Sequence, residues 1–391
     1  MMKKNEGRVF MEEKTIAIKM AALTAALLTT GVLALSMGFV FLDKQEFSEN
    51  ENRYLEKLPK LSWEKIESGE YMEDMNAYLC DHFPLRDFFI GMKSKTEIAL
   101  GKREINQVYI AGDGFLIEEY KKPENTEQIA GILKAFGEKE AVAQAQVKLM
   151  LVPTASSIYQ DKLPAFAPVK FRQMETAQEI YQISGLSPID CSQDLLAHKE
   201  EGQLYYHTDH HWTTYGAYIG YLTYCREAGL EPVRLEDLEV KTVTEDFKGT
   251  IYSKVNDYSR PGEPITVYEN PADRLTVYYE DTKETTDSLY NLDYVEQKDK
   301  YSLFLNNLHP LVEITNETAD TERELVVIKD SYANSMVPFL VHHFKKLYVF
   351  DTRYYKWGPS AFIGDHPGVT DVLILYNMNT LDTDLGVRGI F

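Results

Sequence analysis

Three of the nine histidines fall within five residues, in His207-Thr208-Asp209-His210-His211-Trp212. In an Asp-x-His arrangement, Asp209 can accept from one ring nitrogen of His211 while the other nitrogen serves as a general base. His207, Asp209 and His211 are also all possible zinc ligands, as a metal-dependent hydrolase would need. A third reading has these polar groups simply satisfying a loop, with His210 structural. A base needs a nucleophile, and the best candidate lies about 120 residues later in LVVIKDSYANSM, where an apolar strand ends at Lys329-Asp330 and Ser331 precedes a helix-compatible stretch. Groups outside the carboxyl ends of strands face the crevice of an open α/β sheet, and a helix amino terminus offers N–H groups to a developing oxyanion. Such a serine suits acyl transfer; its rival role is a helix cap.

Elements able to carry these residues are visible as apolar runs. VKLMLVP (147–153), LVVIK (325–329), KLYVF (346–350) and VLILY (372–376) read as strands buried on both faces. Helical patterns at about 126–145, 172–184, 213–229 and 333–343 separate them, so the fold class is α/β, a mainly parallel sheet flanked by helices. VYIAGDGFLIE (108–118) predicts a hairpin around Gly112-Asp113-Gly114. Residues 235 to about 320, rich in Tyr, Thr, Asp and Glu, interrupt the alternation as an insertion that could shape a substrate groove.

The amino-terminal region is of another kind. Residues 20–42 carry no charge, long enough to span a bilayer. Residues 1–19 hold five basic against three acidic side chains, which by the positive-inside rule makes them a cytoplasmic tail and places the rest outside the cell. Ala34 and Ser36 could form a cleavage site, but the apolar run continues through Leu42, which favours an uncleaved single-pass anchor in the cell membrane. Residues 43–105, with Tyr71, Met75, Tyr78 and Leu79 at helical spacing, read as a helical stalk, and 106–391 as the α/β domain.

Composition narrows the function classes. The 391 residues are 44% hydrophobic and 26% charged, an ordinary globular balance. A net charge of -20 would repel phosphates, so nucleic acid is not an expected partner. Cys80, Cys191 and Cys225 are too few and too scattered for a zinc ribbon or a disulfide scaffold.

TDHHWTTYGAY resembles the signature of the DHHW protein family, which is similar to the alginate O-acetyltransferases and other extracytoplasmic SGNH-hydrolase-like enzymes. FSENENRYLEKLPKLS, DHFPLRD, NQVYIAGDGFLIE, VPTASSIYQDKLP, DFKGTIYSK and IKDSYANS extend the resemblance through most of the chain after the anchor. It implies an SGNH-like fold with Asp209 as orienting carboxylate, His211 as general base and Ser331 as nucleophile. It also implies O-acetylation or deacetylation of a cell-surface polysaccharide, and a multi-spanning membrane acyltransferase as partner and acyl donor; the mechanism needs no dissociable cofactor. A non-catalytic cell-envelope protein that holds glycan or scaffolds a complex is the alternative. The glycine commonly two positions before such a serine is Lys329 here, which leaves the oxyanion side open, with Asn334 and Asn377 as candidate donors. Trp212 reads as packing behind the histidine loop; Tyr205, Tyr206 and Trp357 are candidates for stacking on sugar, Arg353 for an acidic substrate group, and Asn316-Glu317-Thr318 is a glycosylation sequon.

Overall fold

The four apolar runs become the parallel heart of one sheet. In the computed structural model, which describes residues 2–51, 53–167, 172–382 and 386–391, the chain divides into two units, Met1–Thr96 and Glu97–Phe391.

The first unit begins with one continuous helix, Met2–Phe41, so the charged tail and the apolar segment share a single element. Its Lys14–Phe41 portion is long and apolar enough to cross a membrane, and none of its residues is buried. A two-strand ribbon (Phe47–Ser48 with Arg53–Tyr54) and the helices Trp63–Ser68, Glu70–Asp81 and Arg86–Ala99 follow. The buried Asp81 carboxylate accepts from the Arg53 guanidinium at 2.5 and 2.9 Å and from the Glu56 N–H at 2.9 Å, while Arg86 pairs with Glu51 at 2.9 Å. Charge pairs thus tie together a segment that buries few apolar side chains.

The main sheet of the second unit comprises β1 (Gln146–Val152), β2 (Ser187–Ile189), β3 (Leu275–Tyr279), β4 (Thr285–Thr286), β5 (Leu311–Asn316), β6 (Glu324–Lys329), β7 (Lys346–Asp351) and β8 (Val369–Asn377). Their spatial order is β4-β3-β5-β7-β6-β8-β1-β2. From β7 to β2 all neighbours are parallel; β5, β3 and β4 extend the sheet antiparallel. Side chains alternate along each central strand between two apolar layers. Met150, Val152, Leu325, Val327, Leu347, Val349, Leu373 and Leu375 pack under helix Thr214–Ala228, and Leu149, Leu151, Val326, Ile328, Phe350, Val372 and Ile374 under helices Thr126–Gly137 and Gln173–Ser184. Full burial of such side chains contributes about 1.5–3 kcal/mol each, which makes the sheet the rigid base of whatever stands at its edge. Lys329 lies level with Asp351 on β7 and Leu375 on β8, so β6 and β7 end together and β8 runs two residues further.

Several expectations are modified. The helix expected over 126–145 stops at Gly137 and gives way to turns. The stretch 333–343 is not one helix but a 3-10 turn (Ser331–Ser335), a short helix with Pro in its first turn (Val337–Leu340) and a second 3-10 turn (Val341–His343), because Pro338 has no N–H to continue a preceding helix. The 108–118 hairpin forms as drawn, Val108–Ile110 against Leu116–Glu118, with Asp113 and Gly114 at φ 53° and 84°, but it belongs to a separate three-stranded sheet. The segment 235–320 supplies a second hairpin, Glu239–Phe247 with Glu263–Glu269, and then β3, β4 and β5 of the main sheet. All three cysteines are free thiols. Asn316 is buried, its Nδ2 donating to the Val341 carbonyl at 3.0 Å, so the sequon is closed to modification in the folded chain.

One half-buried histidine makes stability depend on pH. His343 accepts the Tyr221 hydroxyl at 2.6 Å, and burial, helped by His342 and Arg323, pushes its imidazole down from 6.5 to about 4. The native state therefore favours the neutral ring, and this contribution is complete above 6.5 and lost as pH falls toward about 4. Calorimetric Tm should fall across that window, and the fall should be shallower in His343→Gln; equal slopes in the two proteins would refute the assignment.

Candidate active site

The segment carrying Asp209 and His211 is a loop closed at its base. Tyr205 and Trp212 form an isolated antiparallel bridge, the Tyr206 N–H donates to the His211 carbonyl at 3.2 Å, and the Thr213 N–H to the Leu204 carbonyl at 2.9 Å. Thr213 then caps helix Thr214–Ala228, its hydroxyl accepting from the Gly216 N–H at 3.1 Å. Ahead of the aspartate, the buried Glu263 carboxylate accepts from the His207 N–H at 2.8 Å, the Thr208 N–H at 2.9 Å and the Thr208 hydroxyl at 2.6 Å.

Ser331 stands immediately beyond β6. Asp330 caps the turn Ser331–Ser335, its Oδ1 accepting from the Tyr332 N–H at 2.8 Å, while its Oδ2 accepts from the Asn377 N–H and Nδ2, both at 2.7 Å, and from the Thr380 hydroxyl. The nucleophile candidate is thereby fixed to the end of β8. Two reciprocal bonds join this turn to the histidine loop: Trp212 Nε1 donates to the Tyr332 carbonyl at 2.9 Å, and the Tyr332 hydroxyl donates to the His210 carbonyl.

The result is a linear relay. Ser331 Oγ lies 2.7 Å from His211 Nε2, and His211 Nδ1 lies 2.5 Å from Asp209 Oδ1. Asp209 Oδ1 also accepts the His211 N–H at 3.0 Å, and Oδ2 accepts the Thr250 N–H at 2.8 Å and hydroxyl at 3.1 Å. Burial by itself would raise the Asp209 carboxyl, but the adjoining His210 and His211 and the donated hydrogen bonds hold it well below the usual carboxylate range. An ionised Asp209 keeps the His211 proton on Nδ1 and leaves Nε2 free to accept the Ser331 proton. Asp209 and His211 are buried and Ser331 is half-buried, so the serine is the member of the three nearest the surface.

Space around Asp209 is tight. A Cβ at Gly249 would lie 2.1 Å from Asp209 Oδ2 and 2.3 Å from its Cβ, although the Gly249 backbone is extended and any residue could adopt it. Gly249→Ala should lower stability by about 1–3 kcal/mol and push Asp209 off His211. A thermal shift with no change from the parent would rule this out.

The remaining candidates separate clearly. His207 turns to Glu263, with Nδ1 3.2 Å from the carboxylate, and packs on Phe115. The donor atoms close enough to share an ion are those of Asp209, His210 and His211, not His207. All three are engaged: Asp209 with His211 and Thr250, His211 with Ser331, and His210 Nδ1 with the Thr250 hydroxyl at 2.7 Å. Asn377 spends its Nδ2 on Asp330 and Thr380 and is no oxyanion donor. Asn334 is buried one 3-10 turn after Ser331, with Oδ1 unpartnered. Lys329, in the place of the usual glycine, points into the fold, its Nζ 3.6 Å from Asp351, and burial pushes its ammonium below the ordinary value. Arg353 is held bidentately by Asp351 at 2.6 and 2.8 Å. Tyr205, Tyr206 and Trp212 are fully buried and present no face to sugar, whereas Trp357 is 74% exposed.

No local pattern in the sequence points to Thr250, Glu263, Tyr301 or Thr380 as parts of the site. Only Asp330 carried a local signal, as an acidic residue in the capping position before a helical turn. The others reach the site through long-range closure.

The parallel sheet between two helical layers, with its polar cluster at the carboxyl ends of the strands, is SGNH-hydrolase-like. The chain belongs to the DHHW family: the sequence profile described as DHHW protein matches residues 106–350. Among solved structures, a DHHW family protein from Eubacterium siraeum is 27% identical, with a TM-score of 0.64 over 73% of this chain and 95% of that one. PatB1 of Bacillus cereus, solved with a sulfonyl adduct, is 19% identical with a TM-score of 0.58, over 71% of this chain and 96% of that one. The O-acetyltransferase domain of Pseudomonas putida AlgJ is a more distant likeness, 14% identical with a TM-score of 0.43 over 71% and 92% of the two chains. No curated protein matches the chain.

Proposed function

We propose that this protein is a membrane-anchored, extracytoplasmic serine acyltransferase or esterase that adds or removes O-acetyl groups on a cell-surface polysaccharide. The observation that carries the reading is the 2.7 Å contact of Ser331 Oγ with His211 Nε2, backed by Asp209 at 2.5 Å on the far side of the ring. His211 takes the Ser331 proton as Oγ attacks an acyl carbonyl, and Asp209 stabilises the imidazolium. The first N–H groups of the turn Ser331–Ser335, other than that of Tyr332, which Asp330 takes, are the candidate donors for the oxyanion. Collapse of the tetrahedral intermediate returns the proton to the leaving oxygen and leaves an acyl-serine. A sugar hydroxyl or water, deprotonated by His211, then accepts the acyl group. The acetyl and polysaccharide parts of the reading rest on the resemblance to alginate O-acetyltransferases. One apolar helix cannot carry an activated acyl group across a bilayer, so a multi-spanning acyltransferase is the proposed donor. The helix Lys14–Phe41 and the five basic against three acidic side chains of residues 1–19 support the anchored, outward-facing topology.

A fluorophosphonate reports the nucleophile directly. Mass spectrometry should place the adduct on Ser331, and His211→Ala should abolish it. No adduct on Ser331, with labelling elsewhere retained in His211→Ala, would reject the catalyst and leave the non-catalytic glycan-binding alternative.

A further inference from the structure

Tyr301 lies on the turn Lys300–Leu303, in the segment 235–320 that interrupts the α/β alternation. Its ring is stacked on the His211 imidazole, with centroids 3.7 Å apart and planes within 9°. Its hydroxyl is shared between two acceptors on the nucleophile turn, the Ser331 carbonyl at 3.2 Å and the Ser335 hydroxyl at 3.1 Å. Burial raises the phenol well above its usual value, so it stays a proton donor. One side chain therefore touches both partners of the proton transfer.

The hydrogen bonds to Asp209 and Ser331 pin the imidazole at its two edges, but a ring torsion on an sp3–sp2 bond is broad, and edge bonds alone leave the ring free to tilt. A parallel aromatic face at van der Waals distance removes that freedom. The His210 ring, 3.9 Å away but tilted by 36°, cannot do the same. Tyr301 is itself held by Phe304 at 5.0 Å and Tyr206 at 6.4 Å, both in the same apolar cluster. Its π face also favours the imidazolium that forms as Ser331 loses its proton.

We infer that Tyr301 is a positioning residue for the Ser331–His211 pair, acting through the stacked ring rather than the hydroxyl. The inference rests on the catalytic reading above, and its test separates the two. Steady-state hydrolysis of 4-nitrophenyl acetate by the full chain in detergent should show Tyr301→Phe within about threefold of the parent. Tyr301→Leu should lose roughly 10- to 100-fold in kcat with KM little changed, the scale of a small misplacement of reacting groups. In parallel, the His211 imidazole NMR signals, assigned with His211→Gln, should form one set in the parent and in Tyr301→Phe, and should split or broaden in Tyr301→Leu. Equal kcat losses in the Phe and Leu variants, or a single sharp set of signals in all three proteins, would overturn the inference. An inactive parent whose signals still split only in Tyr301→Leu would instead sink the acyltransferase reading and leave the positioning role standing.

Discussion

Replacing Ser331 with alanine is expected to lower kcat on a small acetyl ester by about a millionfold, the scale seen when the nucleophile of a triad is removed. The effect should fall on kcat and leave the fold alone. The hydroxyl meets His211 on a half-buried residue, while the turn that carries it is held by Asp330 and Trp212. A melting temperature near that of the parent would accompany the loss. A residual rate within tenfold of the parent would show that acyl transfer does not pass through this oxygen.

Asp209→Asn is expected to cost about 10⁴-fold in kcat, because an amide donor opposite Nδ1 selects the imidazole tautomer that cannot accept from serine. Both oxygens of Asp209 are committed, Oδ1 to the main chain and ring of His211 and Oδ2 to Thr250. Asparagine can satisfy one set or the other. The same substitution reports on stability. The carboxyl of Asp209 lies well below its ordinary value of 3.8, as its histidine neighbours and hydrogen bonds outweigh the opposing effect of burial. Its contribution is thus fully present above that value and is lost as pH falls through the depressed one. The variant should melt below the parent at pH 7, and the gap should narrow under strong acid. A constant gap, or a kcat within tenfold of the parent, would contradict the role given to the carboxylate.

The strands were legible because β1, β6, β7 and β8 are buried on both faces, and a segment with two apolar faces shows as an uninterrupted run of valine, leucine and isoleucine. Asp209 and His211 were legible as neighbours in sequence, and Ser331 by its place after such a run. Residues 235–320 were less legible, because antiparallel strands at the margin of a sheet bury less and mix tyrosine and threonine with apolar residues, as β3 and β4 do. The supports of the site were hidden for a different reason. Thr250, Glu263 and Tyr301 lie 41, 55 and 30 residues from the groups they bind, and no local pattern marks a threonine or tyrosine for contact at that range. Lys329 departs from the expected glycine, yet its side chain turns inward to Asp351, so the substitution alters the underside of the strand end rather than the mouth of the site.

The carboxylate that seats Ser331 finds its other partners at Asn377 and Thr380, 47 and 50 residues further along the chain. A ribosome reading this message makes the imidazole first, the hydroxyl 120 residues afterwards, and the clasp that orients the hydroxyl about 50 residues later still. A chain terminated between Ser331 and β8 would therefore carry Asp209, His211 and Ser331 without the contacts that hold Asp330 in place.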